Sequence, residues 1–155
     1  MPEQPLKNFL YVPANQDYST ELVELLAGEC NVLTARTVQE VAAMLQGGQP
    51  FNTLFMDTLN IPTNKSLAKF TPDMLPSGYT SMQYSLSIPH ASPGLGLLVF
   101  ARRFHKNLKS GITIQHNFTD AWLFTDLAYA LGATLVSDNL DDTPEFIRKN
   151  RERLI

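Results

Sequence analysis

Three residues in this chain combine a reactive side-chain type with a position at the end of an apolar run. In "FNTLFMDTLNIP" (51–62) the run stops at one carboxylate, Asp57. His116 follows the segment "GITIQ", and Asp138 follows "ATLVS". A carboxylate in such a place can accept a phosphoryl group, bind a divalent metal ion, or accept the hydrogen bonds that end a buried strand. These three functions correspond to a phosphate-driven switch, a metal enzyme and a binding module.

The composition is that of one globular domain. The 155 residues are 44% hydrophobic and carry a net charge of −3, which favours a single domain over 1–155 and argues against general nucleic-acid binding. The single cysteine, Cys30, rules out an internal disulfide and a cluster of thiolate zinc ligands. The sequence has no apolar run of membrane-spanning length and no signal peptide, so we expect a cytoplasmic protein without membrane contact.

The first part of the chain alternates between predicted strands and helices. Asp17 is the predicted N-cap of the first helix, and Thr37 with Glu40 has capping-box spacing at the start of the second. This succession is typical of a parallel sheet with right-handed crossovers. The predicted strands cover 7–14, 30–35 and 51–57.

The alternation resumes after residue 94. A helical face is followed by strand four (111–117), a helix over 119–131, strand five (133–139) and a last helix. Thr143 followed by Pro144 is a preferred start for that last helix. The chain therefore predicts an α/β domain with a doubly wound, five-stranded parallel sheet.

The alternation is interrupted by residues 63–93. Loops longer than about 15 residues are uncommon in compact domains unless they have a function or are disordered. Within the segment, "YTSMQYSLSI" (79–88) alternates apolar and polar residues, which predicts a strand in a loop or hairpin. Because the insertion begins shortly after Asp57, we expect it to be a lid or a protein-binding arm. The alternative is a surface excursion without a role.

The order of elements and the aspartate that ends strand three resemble the CheY-like receiver domains of response regulators. The resemblance covers nearly all of the chain outside the insertion. It implies a flavodoxin-like sheet with strand order 2-1-3-4-5, with the insertion between strand 3 and helix 3. The matching stretches are "FLYVPAN", "ELVELLAGECNVLTARTVQEVAAML", "FNTLFMDTLNIP", "GLGLLVFARRF" and "LGATLVSDNLDDTPEFIRKNRERL".

The resemblance also implies functional positions, and three of them are altered. Asp57 matches the phosphoacceptor. An acidic pair that holds Mg²⁺ should follow strand one, where this chain has Pro13 and Ala14. A Ser or Thr should end strand four, where we assign His116, and a Lys should end strand five, where we assign Asp138. The sequence therefore resembles an atypical, degenerate receiver.

These changes oppose phosphorylation for an electrostatic reason. Transfer to a carboxylate brings two anions together, and receivers offset the repulsion with Mg²⁺ and an ammonium group. With Asp138 in place of the Lys, Asp57 faces a second negative charge, and two charges about 4 Å apart repel by about 4 kcal/mol at an effective dielectric near 20. We expect no conventional Mg²⁺-dependent phosphorylation and no cofactor. If a divalent ion binds, we expect Asp57 and Asp138 to be its ligands.

An enzyme is the alternative interpretation. In the strand order of the receiver family, Asp57, His116 and Asp138 lie at equivalent ends of adjacent strands and could bind a divalent metal or process a phosphate ester. "ITIQHN" also resembles an atypical receiver branch proposed to process cyclic phosphates.

The stretch "TDAWLFTDLAYALGATLVSDN" resembles the end of PIN-like nucleases, in which acidic residues bind a metal ion. The matching positions are Asp120 and either Asp138 or Asn139. That family needs an aspartate in strand one as well, and Pro13 stands there. The first half of the chain fits a receiver better.

Our preferred interpretation is a receiver-like protein-interaction module in signalling, and not an enzyme. The resemblance implies that a protein partner or a second copy binds the surface formed by the fourth helix, strand five and the last helix, with 63–93 as a further contact. Trp122 and Phe124 are candidate anchors on the fourth helix.

Overall fold

A computed structural model describes residues 6–14, 16–57, 97–98, 101–102, 105–113, 121–137 and 142–155. Leu97, Leu98, Ala101 and Arg102 are helical. The other elements in these ranges are β1 (Lys7–Val12), α1 (Gln16–Leu25), β2 (Cys30–Thr34), α2 (Val38–Gln46), β3 (Thr53–Met56), β4 (Lys109–Thr113), α3 (Ala121–Ala130), β5 (Leu135–Ser137), α4 (Thr143–Lys149) and α5 (Arg151–Leu154).

The five strands form one parallel sheet in the order β2-β1-β3-β4-β5. The fold class and the strand order expected from the sequence are therefore confirmed. All four residues of β3 are buried, as a central parallel strand covered on both faces requires. The insertion assigned to 63–93 lies outside the described residues.

Each face of the sheet packs against its own set of helices, which is what "doubly wound" means physically. Side chains alternate between the faces along each strand, so one strand supplies both cores. The first core joins the sheet to α2, α3 and the helical residues near 97, through Leu10, Leu54, Met56, Ile112, Val41, Leu45, Leu97 and Leu131. The second joins it to α1 and the C-terminal helices, through Phe9, Tyr11, Phe55, Leu22, Leu26, Ile147 and Leu154.

The predicted helix starts are correct at α2 and shifted at two other helices. Thr37 caps α2, and its hydroxyl accepts a hydrogen bond of 3.1 Å from the Glu40 amide. Asp17 is not an N-cap, because it lies inside the first turn of α1. The start of α4 is also shifted: Asp142 is its N-cap, and Thr143 is a buried helical residue. Thr143 is packed in the interior instead of capping the helix, and local cap preferences do not report burial.

The C-terminal segment 142–155 crosses the second core and is fixed firmly at its far end. The Thr53 hydroxyl donates to the carbonyl oxygen of Leu154, and Lys7 Nζ donates to the carbonyl oxygen of Ile155 at 2.6 Å. Arg151 Nε donates to Glu29 Oε2 at 2.8 Å. These contacts lie at the amino edge of the sheet, opposite the edge where Asp57 lies.

Gly111 in β4 allows the ring of Phe55 to lie against the backbone of the neighbouring strand. A β-carbon at this position would overlap that ring. We expect Gly111→Ala to lower the free energy of unfolding by about 1–3 kcal/mol, as overpacking in a dense core does. Urea denaturation measures the loss.

Gly47→Ala is the matched control for this substitution, because its β-carbon would lie 3.3 Å from the carbonyl oxygen of Ala43 at an exposed helix end. We expect it to change stability by about 0.5 kcal/mol or less. Equal losses in the two variants would show that the contact with Phe55 is not what requires a glycine.

In the described part of the chain, none of the helices is both long enough and apolar enough to span a membrane.

Candidate functional site

Asp57 lies at the carboxyl edge of the sheet, directly after β3. Its amide donates to the carbonyl oxygen of Val12 at 2.9 Å and so extends the β1–β3 ladder by one bond. Because side chains alternate along a strand, Asp57 is on the same face as Phe55, towards α1 and the C-terminal helices. Its exposed fraction is 0%. Open parallel sheets bind their ligands at this edge, so the position is one where chemistry is expected.

The Asp57 carboxyl is bonded to β1 through one of its oxygens. The Tyr11 hydroxyl donates a hydrogen bond to Oδ2, and the Ala14 amide donates to the same atom at 3.3 Å. Oδ1 has no hydrogen-bond partner among the described residues. Only one of the two carboxyl oxygens is therefore hydrogen-bonded to the described residues. A buried polar atom without a hydrogen-bond partner lowers the stability of the folded state.

Two hydroxyl side chains lie near the carboxyl, and a third lies one strand farther along the sheet. Met56 pairs with Ile112, so the next pair in that register places Thr113 level with Asp57, and Thr113 in turn pairs with Ser137. Thr143, the first residue of α4, also approaches the carboxyl. Thr113, Ser137 and Thr143 are all buried, and within the described ranges the hydroxyls of Thr113 and Thr143 complete no hydrogen bond. The second core thus ends in a buried patch of oxygen atoms.

Burial dominates the ionisation of the site. It raises the pKa of Asp57 from 3.8 to about 6, against the hydrogen bonds from the Tyr11 hydroxyl and the Ala14 amide and the nearby Thr143 hydroxyl, which lower it. Burial also raises the pKa of Tyr11 far above its usual value, and the charge of Asp57 raises it further. Tyr11 therefore stays protonated and remains a donor at any pH at which the protein is studied.

Of the residues assigned chemistry from the sequence, Asp57 is the one the structure describes. His116, Asp138, Asp120 and Asn139 lie outside the described residues. The register that pairs Met56 with Ile112 places Thr113 level with Asp57 when it is continued by one residue, and the assignment of His116 to the end of strand four stays a prediction. A hydroxyl residue of β4 is therefore the neighbour of the aspartate in this register.

Among the described residues next to Asp57, the acidic pair that the receiver family uses for Mg²⁺ is absent. Mg²⁺ is bound through carboxylates together with water and phosphate oxygens. Within the described ranges, no group of three or more Asp, Glu, His or Cys side chains could hold a metal ion. After β1 the chain offers the ring of Pro13 and the amide of Ala14, and that amide already donates to Asp57.

The sequence analysis missed Tyr11 and Thr143. One signal was available for Tyr11: it is the polar member of the apolar strand "FLYV", and a buried tyrosine hydroxyl needs a partner. Thr143 was assigned to the helix cap, where its hydroxyl would bond to its own helix. Its position inside the helix turns it into a neighbour of Asp57.

No family model and no curated protein matches this sequence. Solved structures do match it. The chain is similar to the chemotaxis protein CheY4 of Vibrio cholerae, with 15% identity, 97% of this chain and 100% of that chain covered, and a TM-score of 0.60. It is also similar to the HemR receiver domain of Leptospira biflexa, with 18% identity, 96% and 95% coverage, and a TM-score of 0.58.

A third similar structure is the adenylate cyclase from Rhodopirellula baltica, with 11% identity, 97% and 88% coverage, and a TM-score of 0.63. Identities this low are evidence for the fold alone. Together with the strand order and the buried aspartate after β3, these similarities show that the chain has the fold of a receiver domain.

Proposed function

We propose that this chain is a receiver-like signalling domain that works through protein–protein contacts and does not use conventional Mg²⁺-dependent phosphorylation of Asp57. One observation carries the proposal. The carboxyl at the phosphoacceptor position is fully buried and already engaged by Tyr11 and the Ala14 amide, which are neutral donors.

The chemistry of a phosphoacceptor explains why this matters. The acceptor oxygen must reach a phosphorus atom that already bears negative charge, and catalysis consists of positioning together with charge stabilisation. Two neutral hydrogen bonds to Oδ2 supply much less charge stabilisation than a divalent ion and an ammonium group. Asp57 is thus held by contacts typical of a structural aspartate at the end of a strand.

The output of such a domain is a contact surface. The receiver resemblance directs it to α3, β5 and the C-terminal helices, together with the insertion over 63–93. On α3, Tyr129 is 47% exposed, although its hydroxyl accepts a hydrogen bond from the Val136 amide at 3.3 Å. An aromatic side chain half exposed beside β5 suits a protein interface, where tyrosine is enriched.

Labelling of Asp57 tests the first half of the proposal. We expect no acid-labile phosphoryl adduct after incubation with acetyl phosphate and Mg²⁺, and no rise in melting temperature with Mg²⁺ and beryllofluoride. We expect this absence because the donors to Asp57 among the described residues are neutral. An Asp57→Asn variant gives the background in both assays, and a receiver of known activity shows that the reagents work. An adduct on wild-type Asp57 above that background would overturn this half.

A partner or a second copy tests the other half. We expect light scattering to show a homodimer, or quantitative co-purification to recover a stoichiometric partner, and we expect either complex to weaken on Tyr129→Glu or on deletion of 79–88. Val23→Glu is the matched control, because Val23 is 49% exposed on α1, which is not one of the elements assigned to this surface. Association that is absent, or equally sensitive to both substitutions, would contradict the assigned surface.

A further inference from the structure

We propose that the outer edge of β2 is a second interaction surface, where β2 of a second copy of this chain pairs with it in the antiparallel direction. This goes beyond the proposed function, because the contact surface proposed there includes β5. In the sheet, β2 and β5 are the two opposite edge strands. A partner bound at one edge therefore leaves the other edge accessible.

The outer edge of β2 presents backbone groups that no described strand covers. β2 pairs with β1, and among the described residues no other strand lies beside it. The Ala35 amide donates to the Tyr11 carbonyl oxygen at 3.0 Å, so Ala35 directs its backbone groups to β1. Because this direction alternates along a strand, the amide and carbonyl groups of Val32 and Thr34 point outwards.

The two edges of the sheet differ in how they are protected. Edge strands of natural proteins avoid pairing with other chains by being short, by carrying charges or proline, or by being covered. β5 has three residues, and the Val136 amide donates to the Tyr129 hydroxyl at 3.3 Å. β2 has five residues, "CNVLT", with neither a charge nor a proline. The edge of β2 is therefore the one open to a further strand.

The sequence of β2 matches itself when two copies run antiparallel. With the two-fold axis at Val32, each copy places its Val32 opposite the Val32 of the other, and the two residues exchange both backbone hydrogen bonds. Val32 is half-buried, and its side chain packs partly against the second core. A β-branched pair directly opposite across two strands stabilises their pairing.

The charges that flank β2 favour the antiparallel direction. Glu29 precedes the strand and Arg36 follows it. Contacts with Arg151 and Gln16 place these two side chains on the face covered by α1 and the C-terminal helices. In the antiparallel pair, Glu29 of each copy approaches Arg36 of the other, whereas a parallel pair sets like charges level. Glu29 is 47% exposed beside Arg151, and a carboxylate accepts several donors.

Sedimentation of the full chain tests this surface. We expect a reversible monomer–dimer equilibrium between about 10 µM and about 1 mM, because an interface of one strand pair is small. Thr34→Pro removes an outward amide and leaves the hydrogen bonds to β1 in place, so it should weaken the dimer about tenfold or more. Tyr129→Glu, at the opposite edge, should leave the dissociation constant within about twofold.

Two outcomes of this measurement would overturn the proposal. One is a protein that stays monomeric at about 1 mM. The other is a dimer that Tyr129→Glu weakens and Thr34→Pro does not, which would support the surface around β5 instead. Loss of the β2 dimer alone leaves the phosphate and partner tests of the proposed function unaffected, so the two failures are distinguishable.

Exchanging the flanking charges tests the direction and decides the matter if Thr34→Pro fails to fold. Glu29→Arg and Arg36→Glu should each weaken self-association about tenfold, because each variant places like charges at both ends of the strand pair. An equimolar mixture of the two variants should associate like the wild type, since every contact then joins opposite charges. A mixture as weak as its components would overturn the antiparallel arrangement.

Amide exchange by NMR adds a readout at single residues. Raising the concentration to about 1 mM should slow the exchange of the Val32 and Thr34 amides about threefold, because pairing covers them. The Leu33 amide, which points to β1, should change little. Protection that does not alternate along β2 in this way would contradict strand pairing at this edge.

Discussion

Replacing Asp57 with asparagine should raise the free energy of unfolding at pH 8 by about 3 kcal/mol. Burial raises the pKa of this carboxyl from 3.8 to about 6. The folded state therefore binds the proton more tightly than the unfolded state, and each pH unit of difference corresponds to 1.36 kcal/mol. The asparagine keeps the size and one acceptor oxygen of the side chain but has no charge to bury.

The sign of the pH dependence follows from the same linkage. Between about pH 4 and pH 6 the folded protein holds a proton that the unfolded chain has lost, so the contribution of Asp57 to stability falls as the pH rises through this window. Above about pH 6 the contribution of Asp57 to stability has reached its lowest value and changes no further with pH. The gain from Asp57→Asn should thus be near zero at pH 4 and reach its full value at pH 7 and above.

Urea denaturation of both proteins from pH 4 to pH 8 measures this difference. The free energies of unfolding of the two proteins should be nearly equal at pH 4. As the pH rises, that of Asp57→Asn should become the larger of the two. Glu145→Gln is a suitable control, because this carboxyl is at the surface and its pKa is lowered by Arg148, so its removal should bring no gain at pH 8. A destabilised Asp57→Asn protein at pH 8 would mean that the carboxylate is held by more cationic or donor groups than the described residues provide.

Removing the Tyr11 hydroxyl should have the second-largest effect, with the opposite sign. In Tyr11→Phe the ionised Asp57 loses a charge-assisted hydrogen bond, for which about 1.5–3 kcal/mol is typical. The Ala14 amide remains as its donor, at 3.3 Å. At pH 4 the carboxyl is neutral, and the cost should fall to about 1 kcal/mol.

A double-mutant cycle separates this hydrogen bond from the packing of the Tyr11 ring. In the Asp57→Asn background, Tyr11→Phe should cost about 1 kcal/mol at both pH values, because the partner is neutral. The pKa of Asp57, followed by NMR, should rise above about 6 in the single Tyr11→Phe variant, since that hydrogen bond lowers it. A cost that does not change with pH, or with the charge of Asp57, would show that the hydroxyl does not stabilise the carboxylate.

Some features of the site were accessible from the sequence. The abrupt end of an apolar run at Asp57 marked the end of a central strand, and the structure places Asp57 directly after that strand, at the carboxyl edge of the sheet. The Pro13–Ala14 pair after strand one was enough to predict the loss of the acidic pair. The partners of Asp57 were not accessible, because Tyr11 lies 46 residues away along the chain and bonds to it across a strand pair.

Local sequence pattern alone predicted the helices and strands, their order along the chain and a parallel sheet. The strand order 2-1-3-4-5 was then predicted from the resemblance to receiver domains. Alternating strands and helices leave few ways to bury their apolar faces. Tertiary structure alone decided the environment of Asp57: the register that brings Thr113 level with it, the Tyr11 hydroxyl on Oδ2, and the single-residue shift that turns Thr143 inwards. Register and helix position are fixed by side chains meeting across distant segments, so no short stretch of sequence contains them.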